Sequence, residues 1–196
     1  VDMLRYYTED FSGPAGATHF YTTNPKEELL DENLLKPENS QGTAWKMFKE
    51  STNVAGTVPV YRLFDGGDHL YTIDGGEKSS AILAGYSFEG IVGLVYSQPG
   101  PDRIEVFRFY RPPGIGVSGP IPGEHFYTAD TNEIPTLPAL GYVSEGVAFY
   151  APTAIPNAPP VNTDTETATR PYGSGTNKDG VTYEGPALAS YVPGLI

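Results

Sequence analysis

All three histidines of this 196-residue chain fall in one tetrapeptide, which reads His19-Phe20-Tyr21-Thr22, His69-Leu70-Tyr71-Thr72 and His125-Phe126-Tyr127-Thr128. Eight residues past each histidine stands a glutamate (Glu27, Glu77, Glu133), and three residues before each glutamate stands Asn24, Asp74 or Asp130. Imidazole, phenol, carboxamide and carboxylate gathered this closely suit sugar recognition. An aromatic ring offers a flat surface to the C–H face of the sugar, and the polar groups bond its vicinal hydroxyls. The residues expected to bind ligand are therefore His19, Tyr21, Asn24, His69, Tyr71, Asp74, Glu77, His125, Tyr127, Asp130 and Glu133.

Two other roles fit the same residues. In the first they are structural: each histidine forms a hydrogen-bonded peg with the upstream arginine, and Asx-x-x-Glu closes a helix capping box, the Asx accepting from the N3 amide and the Glu reaching back to the N-cap. In the second the three imidazoles meet on an axis and bind zinc with one position open. An apolar axis disfavours that arrangement, so no metal and no cofactor is expected. The chain has no HExxH, no phosphate-binding loop, no dinucleotide fingerprint and no Gly-x-Ser-x-Gly. Repetition of the polar set argues against a single asymmetric catalytic centre, and a non-enzyme is expected.

The elements that must hold these side chains recur with them. Upstream of each histidine lies an apolar segment with one arginine: Leu4-Arg5-Tyr6-Tyr7, Tyr61-Arg62-Leu63-Phe64 and Phe107-Arg108-Phe109-Tyr110. The intervening turn is tight at Asp65-Gly66-Gly67-Asp68 and longer elsewhere. A short capped helix is expected through Leu29-Leu30 and Ile82-Leu83, with one turn near Leu137 limited by Pro135 and Pro138. Gly85-Tyr86 and Gly141-Tyr142 suit helix ends. Strands bearing Glu89-Gly90 and Glu145-Gly146 follow, then apolar strands Ile91–Tyr96 and Val147–Tyr150. Copy one lacks the Glu-Gly pair and carries Trp45 at the tyrosine position.

The expected architecture is mainly β: three pseudo-symmetric repeats (about 1–57, 58–103 and 104–152) in one domain spanning 1–152. The arrangement would be β-trefoil-like, or a related threefold β-hairpin assembly, with short capped helices. Residues 153–171 read as a Pro/Thr-rich strap, and 172–196 as a C-terminal segment packed on the domain.

A formal charge of −12 disfavours nucleic acid and anionic membrane as partners and leaves neutral glycans open. The absence of cysteine removes disulfides and thiolate chemistry.

Arg62, His69, Tyr71, Thr72, Gly85, Tyr86, Glu89 and Gly90, with Arg108, His125, Tyr127, Thr128, Gly141, Tyr142, Glu145 and Gly146, resemble an uncharacterised repeat domain with a His-Phe-Tyr-Thr signature. That domain is found in secreted bacterial and fungal proteins. The resemblance covers residues 1–152 and implies an extracellular, lectin-like module. The expectation is a non-catalytic carbohydrate-binding protein that recognises glycans or cell-wall polysaccharide through repeated sites, with homo-oligomerisation open. The alternative is a protein-binding scaffold such as an inhibitor or adhesin.

Overall fold

The computed structural model describes residues 1–8, 18–27, 35–116, 119–155, 175–176 and 182–183. The chain divides into two compact units, Val1–Ile155 and Pro156–Ile196. In the second, the described residues form one two-residue antiparallel pair, Gly175–Thr176 with Thr182–Tyr183. The expected strap and packed C-terminal segment otherwise lie outside the described residues.

The first unit is mainly β. Three antiparallel meanders follow one another along the chain. The first contains β1 (Asp2–Thr8), β2 (Thr18–Thr22) and β3 (Ser40–Lys46), ordered β2-β1-β3. The second contains β4 (Thr57–Phe64), β5 (His69–Thr72), helix α1 (Gly75–Leu83) and β6 (Ser87–Tyr96). The third contains β7 (Arg103–Arg111), a small hairpin of β8 (Gly114–Gly116) and β9 (Gly119–Ile121), β10 (Glu124–Thr128), a 3-10 helix (Ile134–Leu140) and β11 (Val143–Pro152). The last two meanders join through Tyr96 opposite Tyr150, giving a six-stranded sheet ordered β10-β7-β11-β6-β4-β5.

Apart from the small β8–β9 hairpin of the third, each meander has three strands where a trefoil-like unit was expected to have four. The two strands anticipated after each helix are one ten-residue strand, β6 or β11, bent by register shifts opposite Arg62 and Arg108. Glu89 and Glu145 are the extra residues there, followed by Gly90 and Gly146 at φ 132° and 88°. A bulge bends a strand without ending it, and glycine accepts the positive φ at no steric cost.

The helices also depart from expectation. Asp74 caps α1 as predicted, accepting from the Gly76 and Glu77 amides at 2.6 and 3.3 Å. The third segment is 3-10 rather than α, with no side-chain cap from Glu133. Pro138 has no N–H to donate to a carbonyl four residues back, which favours the tighter winding. The helix expected at Leu29-Leu30 lies outside the described residues.

The core explains the tyrosine of the tetrapeptide. β2, β5 and β10 are edge strands, and edge strands present unpaired N–H and C=O groups. Tyr21, Tyr71 and Tyr127 lie on them, 0% exposed, with rings 5.4–5.6 Å apart in edge-to-face pairs. Each hydroxyl accepts from the backbone N–H and donates to the backbone C=O of the next tyrosine. Tyr71 serves Tyr21 (2.9 and 2.7 Å), Tyr127 serves Tyr71 (2.9 and 2.8 Å), and Tyr21 serves Tyr127 (2.9 and 2.8 Å). Met3, Val60 and Val106 pack around this ring, as do Trp45 and Phe149. Trp45 therefore occupies the place of Phe149, opposite Met3 as Phe149 is opposite Val106, and not a tyrosine position. Satellite clusters lie at the helical segments, around Phe109, Phe126, Leu137 and Tyr142 and around Leu63, Leu70 and Ala81.

Tyr71→Phe removes one hydroxyl and strands both backbone groups of Tyr21 in a dry core. A loss of about 2–4 kcal/mol in unfolding free energy is expected, measured by urea denaturation.

Candidate functional site

The other residues of the motif are used where one meander meets the next. In each case the arginine of one meander reaches the glutamate of another. Arg5 binds Glu133 through both terminal nitrogens (2.9 and 2.6 Å), Arg108 binds Glu77 the same way (2.9 and 2.8 Å), and Arg62 binds Glu27 through both nitrogens. These glutamates were expected to close capping boxes or bind ligand. Instead they form bidentate pairs, since a charge-assisted fork to a buried guanidinium is worth more than a back-bond to a solvated N-cap amide. Burial alone would raise their pKa values, but the arginine and a threonine hydroxyl outweigh it and hold all three below the usual carboxylate range. The threonine is that of the tetrapeptide. Thr22 and Thr128 donate to Glu27 and Glu133, and Thr22, Thr72 and Thr128 accept from the Asn24, Asp74 and Asp130 amides at 2.9–3.0 Å. Asn24, Asp74 and Asp130 are exposed and bond their own loops.

The tetrapeptide's second residue packs under the arginine. The Arg62 guanidinium lies 5.0 Å from the Phe20 ring centre and that of Arg5 lies 5.1 Å from Phe126. The histidines lie between meanders while the tyrosines fill the core, and among the described residues the three imidazoles do not come together. His19 bonds Glu124 of the third meander through its amide (2.7 Å) and Nδ1, and His125 bonds Asp68 of the second meander in the same way (2.7 Å through the amide). Each acid is the residue just before the next histidine in its own meander. Tyr142 donates to Glu124 at 2.6 Å and Tyr86 to Asp68 at 2.8 Å; burial alone would raise both carboxyls, but the bonded histidine first and the tyrosine hydroxyl after it hold them below the usual carboxylate range.

His69 has no such acid, because the residue before His19 is Thr18. It is buried between Phe64 (ring centres 4.4 Å apart) and Phe20 (4.8 Å), and its Nδ1 has no hydrogen-bond partner. Burial, reinforced by the Arg62 charge, pushes its pKa down to about 3.

Of the expected ligand residues, the structure brings His19 and Glu133 to an open cleft. The cleft, of about 420 Å³, lies between the first and third meanders. Phe126, Leu137, Leu140, Tyr7 and Tyr142 supply apolar and aromatic surface, and Arg5, Gln41, Arg111 and Thr136 supply polar groups. Tyr21, Tyr71 and Tyr127 have no exposed surface and both functions of each hydroxyl are engaged, so the expectation that they contact ligand is not met. His69, Asp74, Glu77, His125, Asn24 and Asp130 do not line this cleft. Gln41, Arg111 and Leu140 were missed. Gln41 escaped notice because it replaces the Glu of the Glu-Gly pair: Gln41-Gly42 forms the bulge opposite Arg5, with Gly42 at φ 81°, where the other meanders have Glu89-Gly90 and Glu145-Gly146.

The family model of a domain of unknown function, DUF5648, matches residues 3–152 and 117–172, and the chain belongs to that family. No curated protein and no solved structure matches it.

The His69 burial carries a pH signature. Between pH 6.5 and 3 the unfolded chain takes up a proton that folded His69 refuses, so stability falls as pH is lowered through this window. The expected loss by pH 5 is on the order of 2 kcal/mol. His69→Phe should flatten the fall in melting temperature between pH 7 and 5; an unchanged slope would place the titration elsewhere.

Proposed function

We propose that the chain is three diverged copies of one unit closed around a pseudo-threefold axis, and that it is a non-catalytic, lectin-like protein that binds glycan or cell-wall polysaccharide outside the cell. The hydroxyl ring, the cyclic arginine–glutamate pairs and the recurrent bulge support the first part. The cleft between the first and third meanders carries the second. Its volume of about 420 Å³ lies within the ~300–1,000 Å³ range of small-ligand sites. It sets Leu140 and Tyr7, backed by the buried Phe126, Leu137 and Tyr142, against Gln41, Thr136 and Arg111, a pairing of apolar surface and polar groups that suits a pyranose. Leu140 is 61% exposed at the rim and available to a ligand.

The sequence suggested three equivalent sites. The geometry favours one, because at the other two interfaces a bulge glutamate fills the place that Gln41 leaves neutral. Leu83, 89% exposed, and Phe88, 46% exposed, favour a second reading in which this face of the second meander docks a protein.

A glycan array followed by calorimetry tests the proposal. At least one oligosaccharide should bind, and Leu140→Glu should weaken it tenfold or more with the melting temperature unchanged. Binding indifferent to Leu140 but lost in Leu83→Glu would favour the second reading.

A further inference from the structure

The three interfaces share an arginine–glutamate pair and differ at several positions, of which the bulge residue decides what the cleft can accept. In the second meander Glu89 lies 2.7 Å from Arg62 Nε and 3.7 Å from His69 Nε2. In the third, Glu145 lies 2.7 Å from Arg108 Nε and 3.6 Å from His125 Nε2. One bulge carboxylate thus serves the arginine and the histidine of its own meander. In the first meander the bulge residue is Gln41, whose exposed carboxamide carries no charge. Arg5 Nε is buried without a hydrogen bond, as are Arg62 Nε and Arg108 Nε, but among the described residues Arg5 pairs with Glu133 alone and has no second carboxylate, and none lies at His19 Nε2. Arg5 and His19 line the cleft.

The charges around the site differ in the same direction. The interface at His19 holds Arg5 and Arg111 against Glu124 and Glu133. The one at His125 holds Arg108 against Asp68, Glu77 and Glu145, with Asp65 at the position that Arg111 takes in the third meander. The one at His69 holds Arg62 against Glu27 and Glu89. In a chain of net charge −12, the His19 interface is, among the described residues, the one whose guanidinium and carboxylate pairs balance. At physiological salt the distant acidic surface is screened beyond ~8 Å, so this local balance governs a ligand inside the cleft.

We infer that the cleft takes an acidic sugar, a uronic acid residue whose carboxylate occupies the place left by the missing bulge glutamate and bonds Arg5 Nε and His19 Nε2. Leu140, exposed at the rim, and the half-buried Tyr7 then receive the ring. This rests on the sugar-binding reading and names its ligand class.

The test compares trigalacturonate with its methyl ester, which keeps the sugar and removes the charge, by calorimetry on the full chain. The acid should bind at least tenfold more tightly than the ester. Gln41→Glu, which installs the residue the other two bulges already carry, should abolish that preference while the melting temperature holds. Equal binding of acid and ester, or a preference that survives Gln41→Glu, overturns the inference and leaves the sugar reading standing. If neither trisaccharide binds but a peptide with a free C-terminal carboxylate does, and Gln41→Glu releases it, the carboxylate subsite stands and the sugar reading fails. If no carboxylate-bearing probe binds, the inference falls.

Discussion

Three edge strands meet at the centre of this protein, and something must satisfy their backbone. A buried strand edge exposes N–H and C=O groups that water cannot reach, each costing about 1–3 kcal/mol if left unpaired. One tyrosine hydroxyl supplies a donor and an acceptor together, matching one N–H and one C=O. The ring of Tyr21, Tyr71 and Tyr127 closes on that arithmetic. Burial drives the hydroxyl pKa values well above the ordinary phenol value, so the ring stays neutral at any ordinary pH. The bonds are cyclic, so no meander completes its own edge.

The rest of the tetrapeptide follows from that closure. Bringing the edge strands together also brings each arginine against the glutamate of another meander, and the threonine beside the tyrosine sets that glutamate's position. The aromatic residue between histidine and tyrosine supplies the face on which the foreign arginine rests, at Phe20 and Phe126; Leu70 leaves Arg108 without one. The histidine fastens the outer part of the interface to an acid, where an acid exists. A motif that reads as a binding site is thereby largely spent on assembly. The free chemistry lies where one meander departs from the pattern, at Gln41.

Much of the fold was legible because its punctuation is local. The spacing of arginine, histidine, Asx and glutamate marked strand, turn, strand and cap, and Asp74 caps α1 as that spacing demands. What was not legible was relational. A glutamate three residues after an Asx looks like a cap from within its own segment, and its arginine lies 128 residues away in the case of Arg5 and Glu133. Strand alternation placed His and Tyr on one face but could not say that this face was the innermost. The Gln41-Gly42 bulge was hidden because Gln hides the Glu-Gly pattern, and the backbone register recovers it. Arg111 and Leu140 belong to the cleft only through the pairing of the first and third meanders, which no window of sequence spans.

Of the three interfaces between meanders, the one at His19 is the proposed ligand site. An amide nitrogen–proton correlation spectrum of the full chain, recorded with and without an acidic oligosaccharide, tests it residue by residue. Shifts confined to Gln41, Gly42 and the Thr136–Tyr142 segment, with Gly90 and Gly146 unmoved, are predicted. Equal shifts at all three bulge glycines, or shifts gathered around Leu83 and Phe88 alone, would contradict it.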